Sequence, residues 1–341
     1  MASSYSAQST IIKDETPLTE AFIPDRMYAR DSQRDMMTKC LKPAEAGRTP
    51  RNLFLFGPTG CGKTSLSNWV LDELVKYSQN VCTTYVNCWK NPSMHAILSK
   101  IVSDLPMKFS NPKKQSSELL LDIETYVANH SKKILVVLDE VDRIEDMDVL
   151  YSLSRNGYGV VCISNDPHAL VSIDPRIKSS FSPETLEFPK YTRDEMIDIL
   201  RDRASLAFVP GAIDDVFIRI AAVGADGDAR VGIEILRKAA LSSEAEGIRK
   251  IAKEHLLRAQ KDARSLKAEQ VLAILTEHHR ALYNIIREKG KISSPELFEE
   301  YKKTAVKPIS ERTYRAYMEK LVTRRLVNMF GDVRWREYST V

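Results

Sequence analysis

Apolar positions recur along the chain in two periods, and the balance between the periods changes near residue 190. Before it, a short apolar run at 52–56 and short β-branched runs at 81–87, 134–139 and 160–164 alternate with stretches whose apolar residues fall three and four apart. Strands alternating with helices predict a parallel α/β sheet. The run at 52–56 stops at Gly57, and a helix is predicted over 65–76. Ahead of the sheet, Pro17 and Pro24 break an irregular arm, and a helix over 32–41 follows with Asp31 placed to cap it.

After Pro189, Thr192 and Glu195 have the spacing of a capping box, which opens a helix to about 208. Helical periods return at 213–223, 229–246 and 248–264, so this stretch reads as an all-helical unit. The final segment shows helices near 270–288, 295–303 and 310–325, then β-like stretches at 326–330 and 333–338 on either side of Gly331 and Asp332. Three helices closed by a hairpin outline a winged helix. The predicted domains are therefore 1–189 (α/β), 190–265 (helical) and 266–341 (winged helix).

A length of 341 residues agrees with two or three domains at about 150 residues each. With 13 glycines and 15 prolines the chain is poor in turn-formers, which fits a helix-rich fold. The net charge is only +4, yet residues 266–341 hold 15 Lys/Arg against 10 Asp/Glu, so the basicity is local to the predicted winged helix. The longest aliphatic run, 134–138, is far below the roughly 20 residues of a membrane span, and the N-terminus is polar. A soluble, intracellular protein is expected. Five cysteines, Cys40, Cys61, Cys82, Cys88 and Cys162, form no C-x-x-C pair and read as free thiols of a reducing compartment.

Gly57-Pro58-Thr59-Gly60-Cys61-Gly62-Lys63-Thr64 matches G-x-x-x-x-G-K-[ST], with an apolar strand before it and a helix after it. The glycines let successive N–H groups turn toward phosphate oxygens, and the helix that follows adds its positive end. Pro58, Thr59, Gly60, Cys61, Gly62, Lys63, Thr64 and Ser65 are thus the candidate nucleotide contacts, with Lys63 neutralising β- and γ-phosphates and Thr64 ligating Mg²⁺. The run at 134–139 ends in Asp139 and Glu140, where an α/β sheet binds its ligands. Asp139 is expected to hold Mg²⁺ and Glu140 to polarise the attacking water. Asp142 reads equally as a turn cap or a catalytic group. Asn165, at the end of the next strand, either orients the lytic water or forms a turn.

These residues resemble the AAA+ ATPases, and among them the archaeal origin-recognition and replication-initiator proteins related to eukaryotic origin-recognition subunits. The resemblance rests on the loop at 57–64, the pair Asp139-Glu140, and Asn165 within Ile163-Ser164-Asn165-Asp166. It rests also on Asp174-Pro175-Arg176-Ile177-Lys178-Ser179-Ser180-Phe181 and on Gly227-Asp228-Ala229-Arg230. It implies a AAA+ P-loop NTPase sheet with a helical lid, followed by the winged helix. It implies that Asn165 is the first sensor, Arg176 the arginine finger, and Arg230 a second sensor reaching from the lid to the γ-phosphate. Tyr191 and Arg203 match the family's nucleotide contacts, with adenine the expected partner of Tyr191. The stretch around Phe22-Ile23-Pro24-Asp25-Arg26 resembles the segment that folds over the base through backbone and apolar contacts, so Arg26 and Arg30 are minor candidates there.

Cys61 stands where this family's loop has a small or hydroxyl residue, which leaves oxidation-sensitive binding or an inert small side chain open. The loop at 107–114 lacks the glycine usual in the initiators' helical insertion. In the winged helix, Arg312 and Arg315 near the start of the third helix are placed to reach base edges. Lys320, Arg324 and Arg325, with Arg334 and Arg336 of the hairpin, are placed to neutralise phosphates. The function implied is an ATP-dependent replication initiator, a slow ATPase using ATP/ADP and Mg²⁺. It would bind double-stranded origin DNA, help load the replicative helicase, assemble with other initiator protomers, touch no membrane, and sit in the cytoplasm at the nucleoid. A transcription regulator built on the same scaffold and a clamp-loader-like ATPase are the alternatives.

Overall fold

The computed structural model describes residues 11–106, 114–273, 275–305, 307–324, 326–331 and 336–340. The chain divides into two compact units, Met1–Leu256 and Leu257–Val341. Five parallel strands form the sheet of the first unit: β1 (Leu53–Phe56), β2 (Val81–Asn87), β3 (Lys133–Asp139), β4 (Gly159–Ser164) and β5 (Glu184–Glu187), in the order β2-β3-β4-β1-β5. Helices α1 (Asp31–Leu41) and α2 (Lys63–Tyr77) cover one face. Helices α3 (Met94–Asp104), α4 (Ser116–His130), α5 (Asp148–Arg155) and α6 (Pro175–Phe181) cover the other. Successive β3 side chains take opposite sides: Ile134, Val136 and Leu138 pack with Leu98, Ile123 and Phe181, while Leu135 and Val137 pack with Leu41, Leu66 and Val70. Both faces being dry explains why the central strands read as unbroken apolar runs.

β5 is the element the hydrophobic pattern missed, because an edge strand of sequence Glu-Thr-Leu-Glu has little apolar period to show. At α1 the structure corrects the expected cap: Arg30 is the cap residue, Asp31 already lies in the first turn, and its carboxylate faces the helix's positive end. Beyond the sheet come α7 (Arg193–Ala207), α8 (Asp215–Ala225) and α9 (Ala229–Ala245), with the Thr192/Glu195 capping box formed as expected. The arm ahead of α1 is tied to these helices, since Ile11 and Ile12 N–H both donate to Glu244 Oε1, at 2.8 and 3.0 Å. The helix predicted over 248–264 is longer than its pattern: α10 runs Lys253–Ala273, and the division between the two units falls inside it.

The second unit continues with α11 (Glu277–Lys289), β6 (Lys291–Ser293), α12 (Ser294–Thr304), α13 (Glu311–Thr323), β7 (Val327–Phe330) and β8 (Glu337–Thr340). Its antiparallel sheet has the order β6-β8-β7, which is the winged-helix topology, around a core of Leu282, Ile286, Leu297, Tyr301, Met318 and Leu321. Sequence inspection found the hairpin but not β6, whose three residues are too few for a period. No helix among the described residues is long and apolar enough to cross a membrane, and the five cysteines are free thiols.

Candidate functional site

The turn from β1 into α2 is built on left-handed backbone at Gly60 and Gly62, φ +68° and +89°, which side chains with a Cβ rarely adopt. Lys63, only 7% exposed, uses all three ammonium donors: Gly57 O at 2.7 Å, Pro58 O at 2.8 Å and Asn165 Oδ1 at 2.9 Å. Burial lowers its pKa, opposed by Cys61 and Asp139, while the charge of Arg230 adds to the lowering. Cys61 is buried beside it, its thiol donating to Pro58 O at 2.9 Å. Thr64 Oγ1 donates to Asp139 Oδ2 at 2.6 Å, and Tyr85 OH donates to the same oxygen at 2.8 Å. Tyr85 is a positioning group the sequence did not mark; burial and the Asp139 charge raise its pKa, so it stays a donor. Glu140 follows in a left-handed conformation, φ 57° and ψ 48°, as the chain leaves β3. Asp142 accepts the Ser164 hydroxyl at 2.8 Å, tying the exit of β3 to that of β4.

These groups open into a cavity of about 680 Å³ between the sheet, the N-terminal arm and α7 and α9. Gly60 to Ser65, Asp139, Glu140, Asn165, Tyr191, Arg203 and Arg230 all line it, so most of the candidate nucleotide residues are brought together. Lys63 and Arg230 concentrate positive charge at one part of the wall, whereas Phe22, Ile23, Met27, Ile199 and Ile233 supply apolar surface. A wall that pairs cations with apolar surface suits a phosphorylated nucleoside. The loop glycines, the cations and the Thr64–Asp139 oxygen pair fit a nucleotide and its divalent cation.

The structure gives several candidates partners of their own. Pro58 and Thr59 do not line the cavity; Thr59 Oγ1 instead donates to Asp228 Oδ2 at 3.2 Å. Arg203 spends its guanidinium on Pro17 O and Phe22 O, at 3.1 and 3.3 Å, and lies over the Phe22 ring, so it anchors the arm. The ring of Tyr191, which lines the cavity, also meets the guanidinium of Arg30, 3.9 Å from its centroid. Arg176 is 83% exposed, pairs with Asp174 at 3.2 Å, and does not line its own chain's cavity.

Arg30 is the residue sequence reasoning undervalued. It is 2% exposed and donates to Cys61 O at 3.0 Å, Ala29 O at 2.8 Å and Pro189 O at 2.7 Å. One buried cation thus joins the arm, the phosphate loop and the linker into the lid. Nothing near it in sequence signals this, since two of those partners are 31 and 159 positions away. Arg30→Ala is expected to cost about 2–3 kcal/mol of stability, because the carbonyls it serves lose a charged donor. Arg30→Lys should recover less than half, as a compact ammonium cannot serve three divergent carbonyls and stack on Tyr191. Chemical denaturation of the three proteins decides it; a Lys variant as stable as the parent would refute the argument.

In the second unit, α13 buries Tyr314, Met318 and Leu321 and stacks the half-buried Tyr317 on His279 with ring centroids 4.0 Å apart. Arg312, Arg315, Lys320 and Arg324 are exposed, with Arg315 paired to Glu311 on the preceding turn. Arg336 departs from expectation: it is half-buried, and its Nε is enclosed without a partner among the described residues. Arg325 and Arg334 lie outside the described residues.

Strand order, the loop after β1 and an arginine delivered from a helical lid make the first unit an ATPase of the AAA+ class, and a family model described as an AAA domain matches residues 46–165. A second, described as a Cdc6 AAA+ ATPase-type lid domain, matches residues 197–261. The chain is 32% identical over 342 residues to ORC1-type DNA replication protein 9 of Halobacterium salinarum, covering 97% of this chain and 94% of that one. It belongs to the family of ORC1-type DNA replication proteins. Among solved structures, the Aeropyrum pernix ORC1 protein in complex with DNA is similar at TM-score 0.68 and 25% identity, over 98% of this chain and 94% of that one. The ADPNP-ADP complexes of A. pernix ORC2 share the fold at TM-score 0.74 and 22% identity, over 97% and 94%.

Proposed function

We propose that this chain is a nucleotide-gated initiator that binds origin duplex DNA, helps load the replicative helicase and hydrolyses ATP slowly, as a switch. The three-part organisation, divided at 189/190 and 265/266, belongs to the same proposal. The observation that carries the nucleotide part is the meeting of Lys63, Asn165, Glu140 and Arg230 in one cavity. Asn165 commits its Oδ1 to Lys63, which leaves its amide N–H groups to orient a water by donation. Glu140 takes that water's proton, and Arg230 stabilises charge on the γ-phosphate from the lid side. Thr64, and Asp139 through water, would hold Mg²⁺, whose charge would offset that of the phosphates. Arg176, exposed and away from this cavity, serves the nucleotide of a neighbouring protomer.

For DNA, Arg312 and Arg315 reach base edges from α13, while Lys320 and Arg324 neutralise phosphates, together with Arg325 and Arg334. The test is immunoprecipitation from native cells followed by sequencing of the bound DNA. Enrichment at one or a few loci that coincide with peaks of replicating-DNA copy number is expected, and it should vanish in the Arg312→Ala/Arg315→Ala double variant. Enrichment scattered over promoters would make the protein a transcription regulator instead.

A further inference from the structure

We propose that Asp228 is a positioning residue: it fastens the start of α9 to the outer face of the phosphate loop and so fixes where Arg230 meets the nucleotide. The proposal rests on the reading that Arg230 senses the γ-phosphate. Asp228 is the N-cap of α9, its Oδ1 accepting from Arg230 N at 3.0 Å and Val231 N at 3.4 Å. Capping alone would explain an Asp here and would leave the rest of the carboxylate free to face water.

The rest is engaged by the loop. Oδ2 accepts the Thr59 hydroxyl at 3.2 Å, across 169 positions of sequence. A Cβ on Gly60 would lie 1.7 Å from Asp228 Oδ1, so the carboxylate occupies the space that only a glycine leaves. A main-chain bond parallels the side-chain one, from Ala229 N to Gly60 O at 3.0 Å. The loop is thereby two-sided. Gly60 to Ser65 line the cavity, whereas Thr59 turns away from it toward Asp228. Behind this contact the linker is joined to the same helix start, through Tyr191 N to Gly227 O at 3.3 Å and the Lys190–Asp226 ion pair at 2.8 Å.

The consequence is mechanical. Arg230 follows Asp228 by two residues and enters the cavity from the first turn of α9. With that turn held against the loop, the guanidinium is placed before a γ-phosphate arrives, and its ordering entropy is not charged to nucleotide binding. The negative charge of Asp228 is tolerated beside an anion-binding loop because it sits on the positive end of α9.

Equilibrium titration of ATP and ADP into the full chain, alongside thermal unfolding, tests this. Asp228→Ser keeps a capping oxygen but is too short to reach Thr59; Thr59→Val removes the hydroxyl without touching the cap. Each is expected to lower the preference for ATP over ADP about fivefold, the scale of one lost hydrogen bond. The double variant should fall no further than either single one. Asp228→Asn keeps one acceptor oxygen for the cap and turns its amide N–H toward the Thr59 hydroxyl, which can accept in place of donating, so it should stay within about twofold of the parent. An effect of Asp228→Ser with none from Thr59→Val, or additive losses, would reduce Asp228 to a helix cap and overturn the proposal. Arg230→Ala separates the two levels. If it leaves the ATP preference intact, the γ-phosphate reading fails and the proposal with it; if it lowers the preference while the Asp228 and Thr59 variants do not, only the fastening fails.

Discussion

Lys63→Ala is expected to weaken ATP and ADP binding by roughly 200- to 1,000-fold, equivalent to about 3–4 kcal/mol. Two losses add. The cavity forfeits the buried ammonium that the proposed function sets against phosphate oxygens. Gly57 O, Pro58 O and Asn165 Oδ1 lose their shared donor, and Asn165, which lines the cavity, is left with an unpaired acceptor beside the incoming anion. Burial lowers the Lys63 pKa, opposed by Cys61 and Asp139. Arg230 remains in the variant but comes from the lid, and it cannot take the place of a cation held between the ends of β1 and β4. Calorimetric titration with each nucleotide checks the expectation; affinity within tenfold of the parent would remove Lys63 from the phosphate site.

Glu140→Ala should separate binding from hydrolysis. Asp139, not Glu140, receives the Thr64 and Tyr85 hydroxyls, so the oxygen pair assigned to the cation survives the substitution. Alanine meets the same left-handed backbone penalty as glutamate at φ 57°, because both carry a Cβ, so the local turn changes little. ATP affinity is expected to stay within about threefold while single-turnover phosphate release falls by roughly 10²–10⁴-fold, the usual worth of a positioned base. Equal hydrolysis by variant and parent would overturn the assignment, and a parallel loss of binding would show that Glu140 holds the site together instead.

Much of the site could be read directly, for a physical reason. A phosphate loop needs glycines, a lysine and a hydroxyl at fixed spacing between a strand and a helix, all within one continuous stretch. The carboxylates at the end of β3 follow a dry strand whose apolar run is itself the signal, and the Thr192/Glu195 box closes over four residues. The winged helix was legible because α11, α12 and α13 each carry an amphipathic period. β5 and β6 were not, one being a polar edge strand and the other three residues long.

Arginine is where sequence and structure part. Arg30, Arg176, Arg203 and Arg230 are alike as letters, and each has a different fate. Arg30 is buried among main-chain carbonyls, Arg203 is bound to the arm, Arg176 pairs with Asp174 at the surface, and Arg230 lines the cavity together with Lys63. Likewise Thr59 reads as part of the phosphate contact, yet it faces Asp228. The sequence by itself determined which elements form, where the phosphate loop and its carboxylates lie, and which segment is basic, because periods, caps and loop motifs are short-range. Only the tertiary structure decided which arginines line the nucleotide cavity, which of them also tie its walls together, and which stay outside it. A guanidinium on a long flexible stem takes its partners from carbonyls and carboxylates brought near by folding, and no local spacing records them.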